Sequence, residues 1–147
     1  MLGKTNGMNP VNTGLSSGDV VCWYWGRRAA GADGIPATNA SYAYSHDYFS
    51  YSGGVFTVLK DFTGNVRIVG SGTRNGSSGG SGNFPLTYTF LVRTTTVSSG
   101  TITYTGNGTP DAFSYSFKAG DTVRITAAHT VNTYLVDAGF MITMRST

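Results

Sequence analysis

The run Leu86-Thr87-Tyr88-Thr89-Phe90-Leu91-Val92-Arg93 decides the fold class. Leu86, Tyr88, Phe90 and Val92 fall on one side of an extended chain, with Thr87, Thr89, Leu91 and Arg93 on the other. Successive side chains of a strand point to opposite faces, so a period of two reads as a strand with one buried face. The pattern predicts strand over residues 86–95.

The same alternation returns on both sides of this run. Upstream, 55–60 and 65–69 place Phe56, Val58, Val66 and Ile68 inward. Residues 41–52 form a tyrosine-rich tract with Tyr42 and Tyr44 at strand spacing, and 19–25 hold a further strand. Downstream, 101–105 alternates Ile102 and Tyr104 with threonines, and 111–117 alternates Phe113, Tyr115 and Phe117 with serines. Residues 121–127 offer Val123 and Ile125, and 134–144 closes with Val136, Ala138, Phe140, Ile142 and Met144. Clusters of Gly, Asn, Ser and Pro punctuate these segments as turns, and residues 26–39 read as a loop.

Composition agrees. The chain has no Glu and no Gln but abundant Gly, Ser, Thr, Tyr and Val, so it lacks two good helix formers and is rich in residues suited to a pleated surface. The expectation is an all-β protein, an antiparallel jelly-roll sandwich of about eight or nine strands. Residues 19–147 suffice for one domain that buries a core without staples. Residues 1–18, polar and without periodicity, read as an extended N-terminal arm. Between residues 70 and 84 the Gly/Ser-rich run reads as a long surface loop exposing Arg74 and Asn75.

Charged residues make up 12% of the chain, against about 25% in an ordinary soluble domain. The net charge of +3 comes from ten scattered Lys and Arg, of which only Arg27 and Arg28 are adjacent. Nucleic-acid binders concentrate basic residues on one face or helix, so no nucleic acid is expected as a partner. Cys22 is alone and sits in an apolar run, which favours a buried, inert thiol. No apolar stretch has the length of a membrane-spanning helix, so no membrane insertion is expected. The first seven residues lack the apolar stretch of a signal peptide, so synthesis in a host cytoplasm without Sec-type export is expected.

Nothing assembles into chemistry. General acid–base catalysis draws mostly on His, Glu and Asp, and the chain offers seven Asp and two His. Gly14-Leu15-Ser16-Ser17-Gly18 and Gly76-Ser77-Ser78-Gly79-Gly80 fit the nucleophile-elbow pattern, but neither has the strand before and helix after that an elbow needs. His46-Asp47 reads as a polar pair in a loop, and His129 as a solvated loop residue. Asp33 and Asp137 lack the alternate-position spacing of a calcium loop, and no His/Cys spacing suits zinc. The expectation is no catalytic residue, no metal and no cofactor.

The aromatic residues carry more information. Tyr42, Tyr44, Tyr48 and Tyr51, with Trp23 and Trp25, are candidate ligand or interface aromatics, because Tyr gives large contact area at low entropy cost. Core or interface packing with the hydroxyls reaching water is the stronger reading, and sugar stacking the weaker.

Three segments resemble the jelly-roll modules of the tumour-necrosis-factor and complement globular-head superfamily, most closely the versions in bacteriophage virion proteins. They are Gly54-Val55-Phe56-Thr57-Val58 with Thr63-Gly64-Asn65-Val66-Arg67-Ile68, then Phe117-Lys118-Ala119-Gly120-Asp121-Thr122-Val123-Arg124-Ile125, then Gly139-Phe140-Met141-Ile142. The resemblance implies a compact homotrimer with an aromatic-lined axis and no catalysis. The expected function is therefore a bacteriophage virion structural protein, a capsid decoration or head-surface protein on the virion surface. Its N-terminal arm, with Lys4, Asn6, Met8, Asn9, Pro10 and Val11, would grip the major capsid protein or another virion protein. A receptor-binding tip of a tail or head fibre is the alternative, as is a carbohydrate-binding module for a host surface glycan.

Overall fold

A computed structural model describes residues 15–28, 35–36, 38–74, 85–103, 111–128 and 134–145. Among them are ten strands: β1 (Val20–Arg28), β2 (Thr38–Tyr44), β3 (Phe49–Ser52), β4 (Val55–Val58), β5 (Phe62–Arg74), β6 (Pro85–Val92), β7 (Thr95–Thr103), β8 (Asp111–Phe117), β9 (Thr122–Ala128) and β10 (Tyr134–Met144). They form two five-stranded sheets. Sheet I runs β2-β1-β10-β5-β8 and sheet II runs β3-β4-β9-β6-β7. Every described pairing is antiparallel. The fold is the expected all-β sandwich, and the crossovers between sheets are those of a jelly roll.

The strand boundaries depart from the sequence expectation at several points, β7 at Thr95–Thr103 in place of the expected 101–105 among them. The tyrosine tract is two strands, because residues 45–48 turn: the N–H groups of Tyr48 and Phe49 both donate to Ser45 O. Residues 86–95 likewise divide, since Arg93 takes φ 60° and reverses the chain into β7 two residues later. β1 runs on to Arg28 through the first part of the expected loop. β5 extends to Arg74, so Ser71 to Arg74 lie in a strand and not in the expected loop. The reason is tertiary: β10 pairs with both strands, opposing Asp137 to Arg27 and Tyr134 to Arg74.

The core lies between the sheets. Phe140, Tyr24, Ile68 and Ile142 of sheet I meet Phe56, Val58, Phe90, Val123 and Ile125 of sheet II, all essentially inaccessible. Phe140 sits at their centre, with ring centroids 5.2 Å from Phe90 and 5.7 Å from Phe56, both edge-on. Cys22 is fully buried.

Two buried carboxylates tie segments together, one between turns and one between strands. Asp121 accepts from Arg93 Nε at 2.6 Å and from the Lys118 N–H at 2.8 Å, tying the β6–β7 turn to the β8–β9 turn. Asp137 accepts from Arg27 Nε at 2.7 Å and Nη2 at 3.0 Å across β10 and β1.

Candidate functional site: the outer face of sheet I

Antiparallel register brings outward residues of successive strands into rows. One row crosses all five strands of sheet I: Ala43, Trp23, Met141, Arg67 and Ala112. The next contains Ser41, Trp25, Gly139 and Val69. Gly139 leaves its place in the row without a side chain, flanked by Trp25 and Val69. Arg27 and Asp137 close the rows at one end as an ion pair.

Sheet II presents a different outer surface. Its outward rows are Ser50, Thr57 and Thr122; Arg124, Leu91 and Thr96; Thr126, Thr89 and Ser99. Hydroxyls dominate that side, as the threonine alternation predicts. The aromatic and apolar side chains that face water are therefore concentrated on sheet I.

Trp23, 36% exposed, lies between two depressions on this face. On one side is a shallow dish of Trp23, Val69, Met141 and Arg67. On the other is a groove formed by Leu15, Val20, Val21, Trp23, Ala43 and Tyr44. The groove lies where the β1–β10 register shifts between Ile142 and Thr143. Such an irregularity re-aims side chains, and Val20 next to it is 46% exposed.

The structure divides the predicted aromatics into three groups. Trp23 and Trp25 share the outer face of β1. Tyr42, Tyr44 and Tyr51 instead stand on the inward side of the edge strands β2 and β3 and cap the open side of the sandwich, Tyr44 and Tyr51 half-buried and Tyr42 44% exposed. Tyr42 and Tyr51 stack at 3.9 Å, and Tyr44 lies 6.2 Å from Tyr51 and 5.8 Å from Phe56. Tyr48 stands apart on the turn, with Lys60 Nζ 4.7 Å from its ring centre and Phe62 edge-on to it.

His46, read from the sequence as one of a polar pair in a loop, stacks its ring on Tyr44 at 4.7 Å, and sequence reasoning missed Met141, Val69, Arg67 and Val20. A usable signal was present in β10, where Met141 breaks the alternation with an apolar residue at an outward position. Lys4, Asn6, Met8, Asn9, Pro10, Val11, Asn75 and His129 lie outside the described residues. Arg74 ends β5, its backbone opposite Tyr134.

Burial sets the ionisation of two groups here. It pushes the Tyr24 phenol up to about 12, reinforced by Tyr51, and it pushes the Cys22 thiol well above its ordinary value. The Tyr24 hydroxyl donates to Pro36 O, which pins the chain beyond β1. Among the described residues no three His, Cys or Asp side chains converge as a metal site, and no helix is long and apolar enough to cross a membrane.

No protein-family model matches the sequence, and no curated protein matches it. Solved structures do. The vertex protein P5 of phage PRD1 superposes with a TM-score of 0.52 at 8% identity, over 90% of this chain and 100% of that one. The likeness is one of fold. Two heads of the tumour-necrosis-factor superfamily also match: pika GITRL (TM-score 0.43, 17% identity, 88% of this chain and 100% of that one) and murine APRIL (0.46, 9%, 84% and 98%). The jelly roll expected from the three sequence segments is the fold this chain has.

Proposed function

We propose that this chain is a bacteriophage virion structural protein, a head-surface or capsid decoration protein that assembles as a homotrimer. The observation that carries the reading is the contrast between the two outer faces. Sheet I presents Trp23, Trp25, Val69 and Met141 in adjoining rows, while sheet II presents hydroxyls. Apolar patches of this kind on a soluble domain mark association surfaces, and the cores of interfaces are enriched in aromatics and Met. A fold shared with a phage vertex protein supports the virion setting. The residues preceding Leu15 are assigned to attachment, to the major capsid protein or another virion protein.

Sugar binding is the second reading, and the aromatic geometry disfavours it. Tyr42, Tyr44 and Tyr51 stack on one another at the sandwich edge, so they offer no side-by-side platform to a sugar ring. Trp23, which shares a depression with Arg67, is where a host glycan would find both an aromatic face and a donor.

Native mass at micromolar concentration tests the proposal. The expected value is three times the 15.5 kDa of the chain, collapsing to one in Met141→Asp with the far-ultraviolet spectrum unchanged. A wild-type monomer would reject the homotrimer and turn attention to a glycan screen at Trp23.

A further inference from the structure

Side chains of β2 and β3 meet across the open side of the sandwich as a stack of tyrosine rings. Tyr42 of sheet I and Tyr51 of sheet II lie with ring centroids 3.9 Å apart and planes 24° from parallel. The next nearest tyrosine pairs among the described residues are much looser. Tyr44 is 6.2 Å from Tyr51, and the pairs Tyr42–Tyr44 and Tyr24–Tyr51 are each 6.3 Å apart. Tyr51 also rests on Phe56, a fully buried ring 4.8 Å away. It therefore touches the core through Phe56 and the surface through Tyr42, which is 44% exposed.

We propose that Tyr42 and Tyr51 form an oxidative cross-linking site, which a one-electron oxidant such as a peroxidase charged with hydrogen peroxide converts to an intrachain dityrosine. Each phenol gives one electron to the oxidant and its hydroxyl proton to water, leaving two phenoxyl radicals. Their ring carbons ortho to oxygen join in a new C–C bond. The two ortho hydrogens then shift through solvent to the oxygens, which restores both hydroxyls. In all, two electrons and two protons leave the protein, and they reduce one hydrogen peroxide to two waters.

Exposure and contact select this pair over the other described tyrosines. Tyr42 meets the oxidant, and ring contact lets Tyr51 be oxidised through it. Already stacked, the two rings need only tilt to bring ortho carbons together, so a step that is bimolecular between free phenols becomes unimolecular here. Tyr24 is a poor partner, being 1% exposed with its hydroxyl donating to Pro36 O. Burial also pushes its phenol up to about 12, so the proton that must leave on oxidation is held more tightly. Tyr48 lies against Lys60 and Phe62 instead. The bond joins β2 of sheet I to β3 of sheet II, where side-chain stacking otherwise holds the two edges. It depends neither on the virion setting nor on the trimer.

Full-length protein treated with peroxidase and hydrogen peroxide tests the site. The expected product runs as a single chain on a denaturing gel and carries dityrosine fluorescence. Cleavage before aspartates separates residues 33–46, which contain Tyr42, from 47–60, which contain Tyr51. The two fragments are expected to stay joined and to weigh two hydrogen atoms less than their sum. Tyr42→Phe and Tyr51→Phe keep the rings but remove the phenol, and each should cut the joined fragments by about tenfold or more. Tyr44→Phe should leave their yield within about twofold, since its ring is not in the close contact. Joined fragments that survive Tyr42→Phe, an equal yield from the urea-unfolded chain, or dityrosine confined to bands of two or more chains would each overturn the site. So would an absence of dityrosine under conditions that couple free tyrosine.

Discussion

Phe140 and Tyr24 show how individual side chains hold this sandwich. Phe140 is 1% exposed and is surrounded by Tyr24, Phe56 and Phe90. Rings from both sheets bound it, so the neighbours cannot collapse into the space its removal leaves. Phe140→Ala is expected to lose roughly 3–5 kcal/mol in denaturant unfolding; a loss below about 1 kcal/mol would be that of a surface position. Tyr24 adds a pH dependence. An unfolded tyrosine ionises near 10, whereas burial holds the folded group to about 12. Between those values the unfolded chain has released a proton that the folded chain keeps, so stability falls as pH rises. Below about pH 10 both forms are protonated and the phenol contributes no slope. Tyr24→Phe should flatten the alkaline decline in unfolding midpoints, while losing about 1 kcal/mol at neutral pH with the bond to Pro36. An unchanged slope would assign the decline to other groups.

At the scale of elements, β10 organises sheet I by pairing with β1 along one side and β5 along the other. Its closeness to β1 depends on Gly139. A Cβ there would run into the Tyr24 carbonyl oxygen and come within 2.9 Å of Trp25 Cα. Both are backbone, so the strands themselves would have to separate. Gly139→Ala is expected to destabilise by about 1–3 kcal/mol despite adding one methyl group, read as a lowered thermal midpoint. Full stability would mean that the pair can spread at no cost. The turns have a comparable device: Asp121, which follows Gly120 in the segment quoted for the family resemblance, is 5% exposed and holds Arg93 of the neighbouring turn. That partner could not be read from the sequence, because 28 residues separate the two and only the sheet order of β6 and β9 brings them together.

The whole molecule has an apolar-bearing outer face, a hydroxyl outer face and one side closed by stacked tyrosines. Residues 15–18, expected to belong to the arm, are instead packed on the body through Leu15 and the bond from Gly18 to Met144. A truncation that leaves the domain intact should therefore end at residue 14. Deleting residues 1–14 is expected to preserve cooperative unfolding and to abolish incorporation into the particle. Normal incorporation of the shortened chain would remove the arm from attachment.

Period-two alternation, together with the missing Glu and Gln, determined from sequence alone that the chain is an antiparallel sandwich, and which side chains of each strand point inward. That much is legible because burial of one face imposes its pattern on every strand locally. Tertiary structure decided what alternation cannot encode. Tyr42, Tyr44 and Tyr51 proved to close the sandwich because β2 and β3 are edge strands of different sheets. Trp23, Met141 and Val69, each an apolar residue at an outward position, became one surface only through the order β1-β10-β5. Local pattern tells which way a side chain points; only strand order and register, set by contacts distant in sequence, tell what stands beside it.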